Sequence, residues 1–178
     1  NAEIDFRTTQ SEGMFKTLVE LQPRSAGDDE GGGMSPTEVA AAKLDDIMER
    51  FGEKKFDIDD LDASLDEKGP FQNSFLQEME VMNRLLAEIV RSLKELTLGF
   101  KGELSMSDAM EAVCDALFMD EVPPKWGKIS WASMKALSGW LTNFTARFGQ
   151  LEEWAGNPTE LPKCTWLPCL GNPQDVLT

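Results

Sequence analysis

The chain lacks two residue types altogether, because none of its 178 residues is histidine or tyrosine. The absence of histidine removes the side chain that most often acts as a general base near neutral pH and most often binds zinc. The cysteines Cys114, Cys164 and Cys169 are too few, and odd in number, for a disulfide-stapled secreted domain. Their number predicts a reducing, cytosol-like compartment.

Positive charge is also scarce, since 17 Lys and Arg stand against 32 Asp and Glu, a net charge of −15 at pH 7. Nucleic-acid binding depends on Lys and Arg that displace counterions from phosphates, so the charge argues against DNA and RNA partners. It argues equally against an anionic membrane surface. No apolar run approaches the ~20 residues that span a bilayer, and no signal-peptide pattern opens the chain.

What the sequence does contain is apolar residues at helical spacing. Between residues 71 and 98 they recur at alternating steps of four and three, which only a helix places on one face. Such a helix is about 40 Å long at roughly 1.5 Å per residue, and its apolar face needs other helices to pack against. The residues of this first seam are Phe75, Met79, Met82, Leu86, Ile89, Leu93 and Leu96.

A second long helix is predicted over roughly residues 130–154, with a seam of the same spacing. Its members are Met134, Leu137, Leu141, Phe144, Phe148 and Leu151. Two helices with matching seams can pack lengthwise at about 20°. The sequence therefore predicts a mainly α fold, a helical bundle or array with two long helices and an irregular, proline-rich tail.

Shorter helices are predicted near residues 8–21, 35–51, 57–66 and 106–120. The second begins with Ser35-Pro36-Thr37-Glu38, which has the spacing of a capping box. In the last of them the residues expected to face inward are Met106, Met110, Val113, Leu117 and Phe118. Residues 25–34 are predicted to form a flexible, acidic, glycine-rich loop.

Two patterns that could be taken for ligand sites are better explained otherwise. The glycines of Gly31–Ser35 precede a helix, but the lysine that a phosphate loop requires is absent and acidic residues come directly before them. The acidic run at 57–66 fails as a calcium loop, because positions six and twelve are Asp62 and Lys68 rather than Gly and Glu. A solvated helix face explains the second pattern.

The cysteines do not form a recognisable site either. Cys164 and Cys169 are five residues apart, and two thiols without further ligands cannot complete a tetrahedral metal site. A thiol nucleophile would have no imidazole partner in this chain. We therefore predict no catalytic, cofactor-binding or metal-binding residue.

All five tryptophans fall in the last third of the chain. We interpret them as core and helix-junction residues, and the alternative is a docking surface, since Trp is enriched in interface hot spots. With residues of the two seams they make up the predicted packing set. That set is Phe75, Met79, Met82, Leu86, Ile89, Leu93, Trp126, Trp131, Trp140, Phe144, Trp154 and Trp166.

Several segments resemble dynein heavy chains, most closely the axonemal, outer-arm type. Those in the first half are Asn1-Ala2-Glu3-Ile4, Leu21-Gln22-Pro23-Arg24, Gln72-Asn73-Ser74-Phe75-Leu76-Gln77-Glu78-Met79-Glu80 and Asn83-Arg84-Leu85-Leu86. Those further on are Arg91-Ser92-Leu93-Lys94-Glu95-Leu96, Lys101-Gly102-Glu103-Leu104, Val122-Pro123-Pro124-Lys125-Trp126, Gly139-Trp140, Asn172-Pro173-Gln174 and Leu177-Thr178. The chain departs from the family pattern at Pro168-Cys169-Leu170-Gly171 and Asp175-Val176.

The resemblance implies an organisation along the chain. Residues 1–24 would be the end of the sixth AAA module's region with a first short helix. Residues 35–158 would be a helical segment of the C-terminal region that follows that module. Residues 159–178 would be an extended tail leading to a remainder that the family has and this sequence does not, as expected of a piece of a longer polypeptide.

The resemblance also implies a function. The segment would couple modules of the ring in an ATP-driven microtubule motor for ciliary or flagellar beating, without a catalytic site of its own. ATP and Mg²⁺ would be bound by the parent chain, in earlier modules. The partners would be other AAA modules of the same chain and, in the assembled motor, intermediate chains, light chains and microtubules that this segment does not contact directly. The location would be the cytoplasm and cytoskeleton, in the axoneme.

Two alternatives come from other classes of protein. The first is an independent acidic helical scaffold that docks partner helices on its seams. The second and least favoured is a small enzyme with a cysteine nucleophile, which an unusually reactive thiol would support.

Overall fold

The structure is a computed structural model that describes residues 34–65, 68–160, 164–167 and 170. These residues form helices and connecting segments, with no strand among them, which confirms the predicted mainly α fold. The described helices are α1 (Pro36–Phe51), α2 (Ile58–Ala63), α3 (Pro70–Phe100), α4 (Asp108–Met119), α5 (Pro124–Ile129) and α6 (Leu137–Ala155). The predicted helix at 8–21, nearly all of the loop at 25–34 and most of the tail lie outside the described residues.

Helix α1 begins as its sequence predicts. The Glu38 backbone N–H donates to the Ser35 hydroxyl at 3.2 Å, and the Ser35 N–H donates to the Glu38 carboxylate at 2.7 Å. This reciprocal pair satisfies two of the backbone donors that a helix leaves free at its start. Pro36 occupies the first turn, where its missing N–H costs nothing.

Helix α3 is the axis of the array, since α1, α2, α4, α5 and α6 all contact it. Its 31 residues include the whole predicted seam from Phe75 to Leu96, and every seam residue is buried. Several polar residues between them are exposed, among them Gln77, Arg84 and Lys94, whereas Ser92 is buried. Helices α1 and α4 contribute Leu44, Ile47 and Leu117 to the same core as the α3 seam.

The second long helix is shorter than predicted. It begins at Leu137 rather than near 130, and Met134 is fully exposed instead of lying in the seam. The cause is tertiary. The Leu137 N–H donates to the Asp120 carbonyl at 2.7 Å, which ties the start of α6 to the end of α4. An additional short helix, α5, occupies residues just before this connection.

The predicted inward face of α4 was wrong at both ends. Ser107 caps the helix, so Met106 precedes its first turn and is 40% exposed. Phe118 is 37% exposed, because it lies about 100° around the helix from Leu117, which is buried with Met110 and Val113. Helix α2 is likewise shorter than the predicted 57–66.

Candidate functional site

The candidate site is the aromatic cluster where α5, the segment after it and α6 meet on α3. Trp126 of α5 is fully buried, and its indole N–H donates to the Ser92 hydroxyl of α3 at 2.9 Å. That hydroxyl in turn donates to the Ile89 carbonyl at 2.9 Å. A short helix that could not hold its own conformation in water is thus fixed to the central helix by packing and a buried hydrogen bond.

A stack of rings continues from this point into α6. Trp131 lies parallel to Trp140, with ring centroids 5.2 Å apart, and Trp140 lies parallel to Phe144 at 5.5 Å. Phe51 of α1 meets Phe144 edge-on at 4.8 Å. Aromatic pairs of this kind add about 0.5–1.5 kcal/mol each beyond the burial of area. Trp131 therefore packs the connection between α5 and α6 against the core.

Arg147 extends the cluster towards the segment that follows α6. It is 7% exposed, and its guanidinium carbon lies 4.1 Å from the centre of the Trp131 ring and 5.5 Å from that of Trp166. Its Nε donates to the Asn143 side-chain oxygen at 2.8 Å. The Trp166 backbone N–H donates to the Gln150 side chain at 2.9 Å, so the segment at 164–167 is attached to α6.

Sequence reasoning missed Arg147, although a signal for it existed. The buried residues of α6 include Leu137, Trp140, Phe144, Arg147, Leu151 and Trp154, which follow steps of three and four. The predicted seam was right at Phe148, which is buried as well, but it contained Leu141, which is only partly buried. It left out Arg147 because an arginine was not counted as a core residue. Delocalised charge and a flat ring-like face make arginine suited to stacking between aromatic rings.

Asp120 forms a second junction, between α1, α4 and α6. It has the left-handed backbone conformation, with φ of 59°. Its carboxylate accepts hydrogen bonds from Lys43 of α1 at 3.0 Å and from the Ser138 hydroxyl of α6 at 3.0 Å. Burial raises the pKa of Asp120, but the hydrogen bonds from Lys43 and Ser138 outweigh it and bring the pKa below its ordinary value of 3.8.

The predicted packing residues occupy different environments. Ten of the twelve are buried, Trp131 is half-buried and Trp166 is 39% exposed. Trp166 therefore lies on the surface beside Arg147 and does not enter the core. The buried ten are Phe75, Met79, Met82, Leu86, Ile89, Leu93, Trp126, Trp140, Phe144 and Trp154. How much each contributes to stability or coupling stays a prediction.

The described residues offer little for chemistry. No group of three or more His, Cys, Asp or Glu within them is arranged to hold a metal ion. Burial, and secondarily the charge of Asp115, raises the pKa of the half-buried Cys114, which leaves that thiol poorly activated. No helix in the described part of the chain is both long and apolar enough to cross a membrane.

The described residues thus form a helical array built around a buried aromatic junction. The chain belongs to the family formed by the C-terminal domain of dynein heavy chains, whose model matches residues 8–178. This confirms the resemblance noted in the sequence.

Curated relatives show the same relationship. The chain is 42% identical over 178 residues to the ciliary dynein beta chain of Heliocidaris crassispina and 41% identical over 178 residues to human dynein axonemal heavy chain 9. It is 41% identical over 181 residues to the flagellar outer arm dynein beta chain of Chlamydomonas reinhardtii. Each alignment covers all of this chain but only 4% of the relative. The similarity is thus to heavy chains that are named for cilia, flagella and axonemes, and the chain spans about 4% of their length.

Proposed function

We propose that this chain is a structural, coupling segment of the motor ring of an axonemal dynein heavy chain. Its role is to hold neighbouring elements of the ring in a fixed relation while the parent chain converts ATP hydrolysis into movement along microtubules. The observation that carries this proposal is the buried junction of Trp126, Trp131, Trp140 and Arg147, which locks α3, α5 and α6 into one unit. A rigid unit transmits displacement, because packed elements shift together.

The electrostatics support the same role. An acidic segment with a net charge of −15 is unsuited to gripping the acidic microtubule lattice directly. We therefore propose that the parent motor contacts microtubules, intermediate chains and light chains elsewhere, and that this segment contacts other modules of its own chain. Nucleic acid and membranes are not proposed as partners.

The segment is proposed to have no catalytic site of its own. ATP and Mg²⁺ would be bound by other modules of the parent chain. The described residues do not form a site for ATP and Mg²⁺. They bring together neither a glycine-rich loop with a lysine nor a cluster of carboxylates arranged for a cation. No step of ATP hydrolysis is assigned to these residues.

The proposal can be tested in the full heavy chain with Trp131→Leu. Loosening the junction should leave nucleotide binding and basal ATP turnover within about twofold, while microtubule-stimulated turnover and gliding velocity fall about threefold to thirtyfold, the range of typical coupling energies. Met134→Ala is the matched control, since Met134 lies three residues away and is fully exposed. Loss of nucleotide binding in Trp131→Leu, or no change in gliding, would overturn the proposal.

The same experiment separates the alternative, an acidic scaffold that docks partner helices. A scaffold predicts that surface substitutions release an accessory protein while the heavy chain's own gliding is unchanged. The burial of the whole α3 seam, and of Leu137, Phe144, Phe148 and Leu151 in the α6 seam, weighs against it, because these apolar faces are already covered by other helices of the array.

A further inference from the structure

One surface of the array carries an open groove that the described residues leave unfilled. The groove has a volume of about 710 Å³ and lies between the loop after α1, helix α2 and the last turns of α6. Its floor is apolar, formed by Phe56 stacked on Phe148 with ring centroids 4.4 Å apart. Leu61, Ala155 and Pro158 extend the apolar lining.

The wall of the groove is held in place before anything binds. The Asn83 side chain of α3 accepts from the Phe56 N–H at 2.9 Å and donates to the Phe56 carbonyl at 2.9 Å. Together with the ring stack, this pair of hydrogen bonds fixes the loop on both sides of Phe56. A preformed surface binds at a lower entropic cost than one that must be ordered.

The rim of the groove has surplus negative charge. Four carboxylates line it, Glu53, Asp57, Asp60 and Glu152, against the two ammonium groups of Lys54 and Lys55. Lys54 is already engaged, lying 3.8 Å from the Glu152 carboxylate and 4.7 Å above the Phe148 ring. The carboxylates of Glu53 and Asp60 form no ion pair within the described part of the chain. The groove therefore complements an apolar side chain flanked by positive charge.

We propose that this groove docks a segment of the same heavy chain, outside residues 1–178, in which Lys or Arg flanks an apolar anchor. Two points favour a docking segment from the same heavy chain. These 178 residues match only 4% of each relative, and a segment tethered to the same chain binds at high effective concentration. This inference rests on the proposed coupling function and names the chemistry of one contact through which the coupling acts.

The test is photo-crosslinking in the full-length heavy chain, with a photoreactive amino acid in place of Leu61. The expected product is an intrachain crosslink to a peptide from outside residues 1–178 that contains Lys or Arg beside an apolar residue. A photoreactive residue at Ala146, exposed on α6 away from the groove, is the positional control and should not give that product. A crosslink to a separate polypeptide, to an acidic segment, or only to peptides within residues 1–178 would overturn the proposal.

A charge variant tests the chemistry of recognition. Glu53→Gln with Asp60→Asn should lower the yield of the crosslinked peptide about threefold to tenfold, and added salt should lower the wild-type yield in the same direction. Glu49→Gln with Glu80→Gln removes the same charge from exposed positions outside the groove and should leave the yield unchanged. Equal yields from both double variants would overturn the electrostatic argument.

The result is separable from the proposed function. If Trp131→Leu impairs gliding but Leu61 captures no basic segment, the groove proposal fails and coupling stands. If Leu61 captures the segment but Trp131→Leu leaves gliding unchanged, the docking contact is real and the proposed coupling role fails.

Discussion

At the scale of single residues, Asp120 illustrates how one side chain can join three helices. Its left-handed backbone ends α4, its carbonyl receives the first N–H of α6, and its carboxylate receives Lys43 of α1. Because its pKa is lowered in the folded chain, its carboxylate stabilises the fold above its unfolded pKa. That contribution is lost as the pH falls through the folded pKa, below 3.8.

The corresponding prediction concerns acid unfolding. Asp120→Asn tolerates the left-handed conformation but cannot titrate, so it should cost about 0.5–1 kcal/mol at pH 7. The difference in unfolding free energy between wild type and variant should shrink as the pH is lowered below 3.8, where the wild-type carboxyl also becomes neutral. Urea unfolding followed by circular dichroism at several pH values measures this. A constant difference across the acid range, or the same behaviour in the exposed control Asp115→Asn, would contradict it.

Asn83 supports a prediction about a one-atom change. Its amide both donates to and accepts from the Phe56 backbone, whereas an aspartate in its place could only accept. Asn83→Asp should therefore destabilise the fold by about 1–3 kcal/mol, because the Phe56 carbonyl loses its donor and faces a carboxylate. Thermal unfolding at pH 7 tests this against Gln77→Glu, an equivalent change on the exposed side of the same helix. Equal losses in the two variants would show that the added charge, and not the lost donor, matters.

A comparison of Trp126 with Trp140 isolates the contribution of the buried hydrogen bond to the stability of the fold. Both are at most 1% exposed, but the Trp126 indole donates to Ser92 while the Trp140 indole N–H has no partner among the described residues. Replacing either with Phe removes the same atoms. We expect Trp126→Phe to destabilise the fold by about 1–2 kcal/mol more than Trp140→Phe, because only the first leaves Ser92 without its donor. Chemical denaturation of both variants provides the comparison, and a larger loss in Trp140→Phe would refute it.

At the scale of elements, periodicity predicted most of the array. The seam of α3 is buried along its whole length, and the capping box of α1 is formed, because both depend on residues close in sequence. The start of α6 could not be predicted in this way, since it is set by a hydrogen bond from Leu137 to Asp120, seventeen residues earlier. The same holds for the candidate site. Its tryptophans could be predicted as packing residues from the sequence, but Arg147 could not, because a charged residue is not expected in a core.

The junction of α6 with the segment that follows it yields a prediction of its own. Arg147→Lys keeps the charge and loses the planar guanidinium that stacks between Trp131 and Trp166. The Trp166 N–H should then exchange with solvent about threefold to tenfold faster, because the segment at 164–167 is less firmly held. Hydrogen exchange measured by mass spectrometry tests this, with exposed Arg84→Lys as the control. Unchanged protection at Trp166 would show that its hydrogen bond to Gln150 suffices.

At the scale of the whole molecule, the excess of negative charge opposes the compact state. The formal net charge is −15, and the negative side chains repel one another over distances comparable to the Debye length. That length falls from about 30 Å at 0.01 M salt to about 8 Å at 0.15 M. Salt also weakens attractive pairs such as Lys43 with Asp120, but surface ion pairs contribute only about 0–1 kcal/mol each. Since like charges outnumber such pairs, repulsion dominates.

The urea midpoint of the chain should therefore rise when sodium chloride is raised from 0.01 to 0.15 M, by an amount equivalent to about 1 kcal/mol in unfolding free energy. Chloride is chosen because sulfate would strengthen apolar burial independently of charge. Glu49→Lys with Glu80→Lys, which lowers the net negative charge at exposed positions, should raise the midpoint at low salt and reduce its salt dependence. A midpoint that falls as salt is added would mean that local ion pairs outweigh the repulsion.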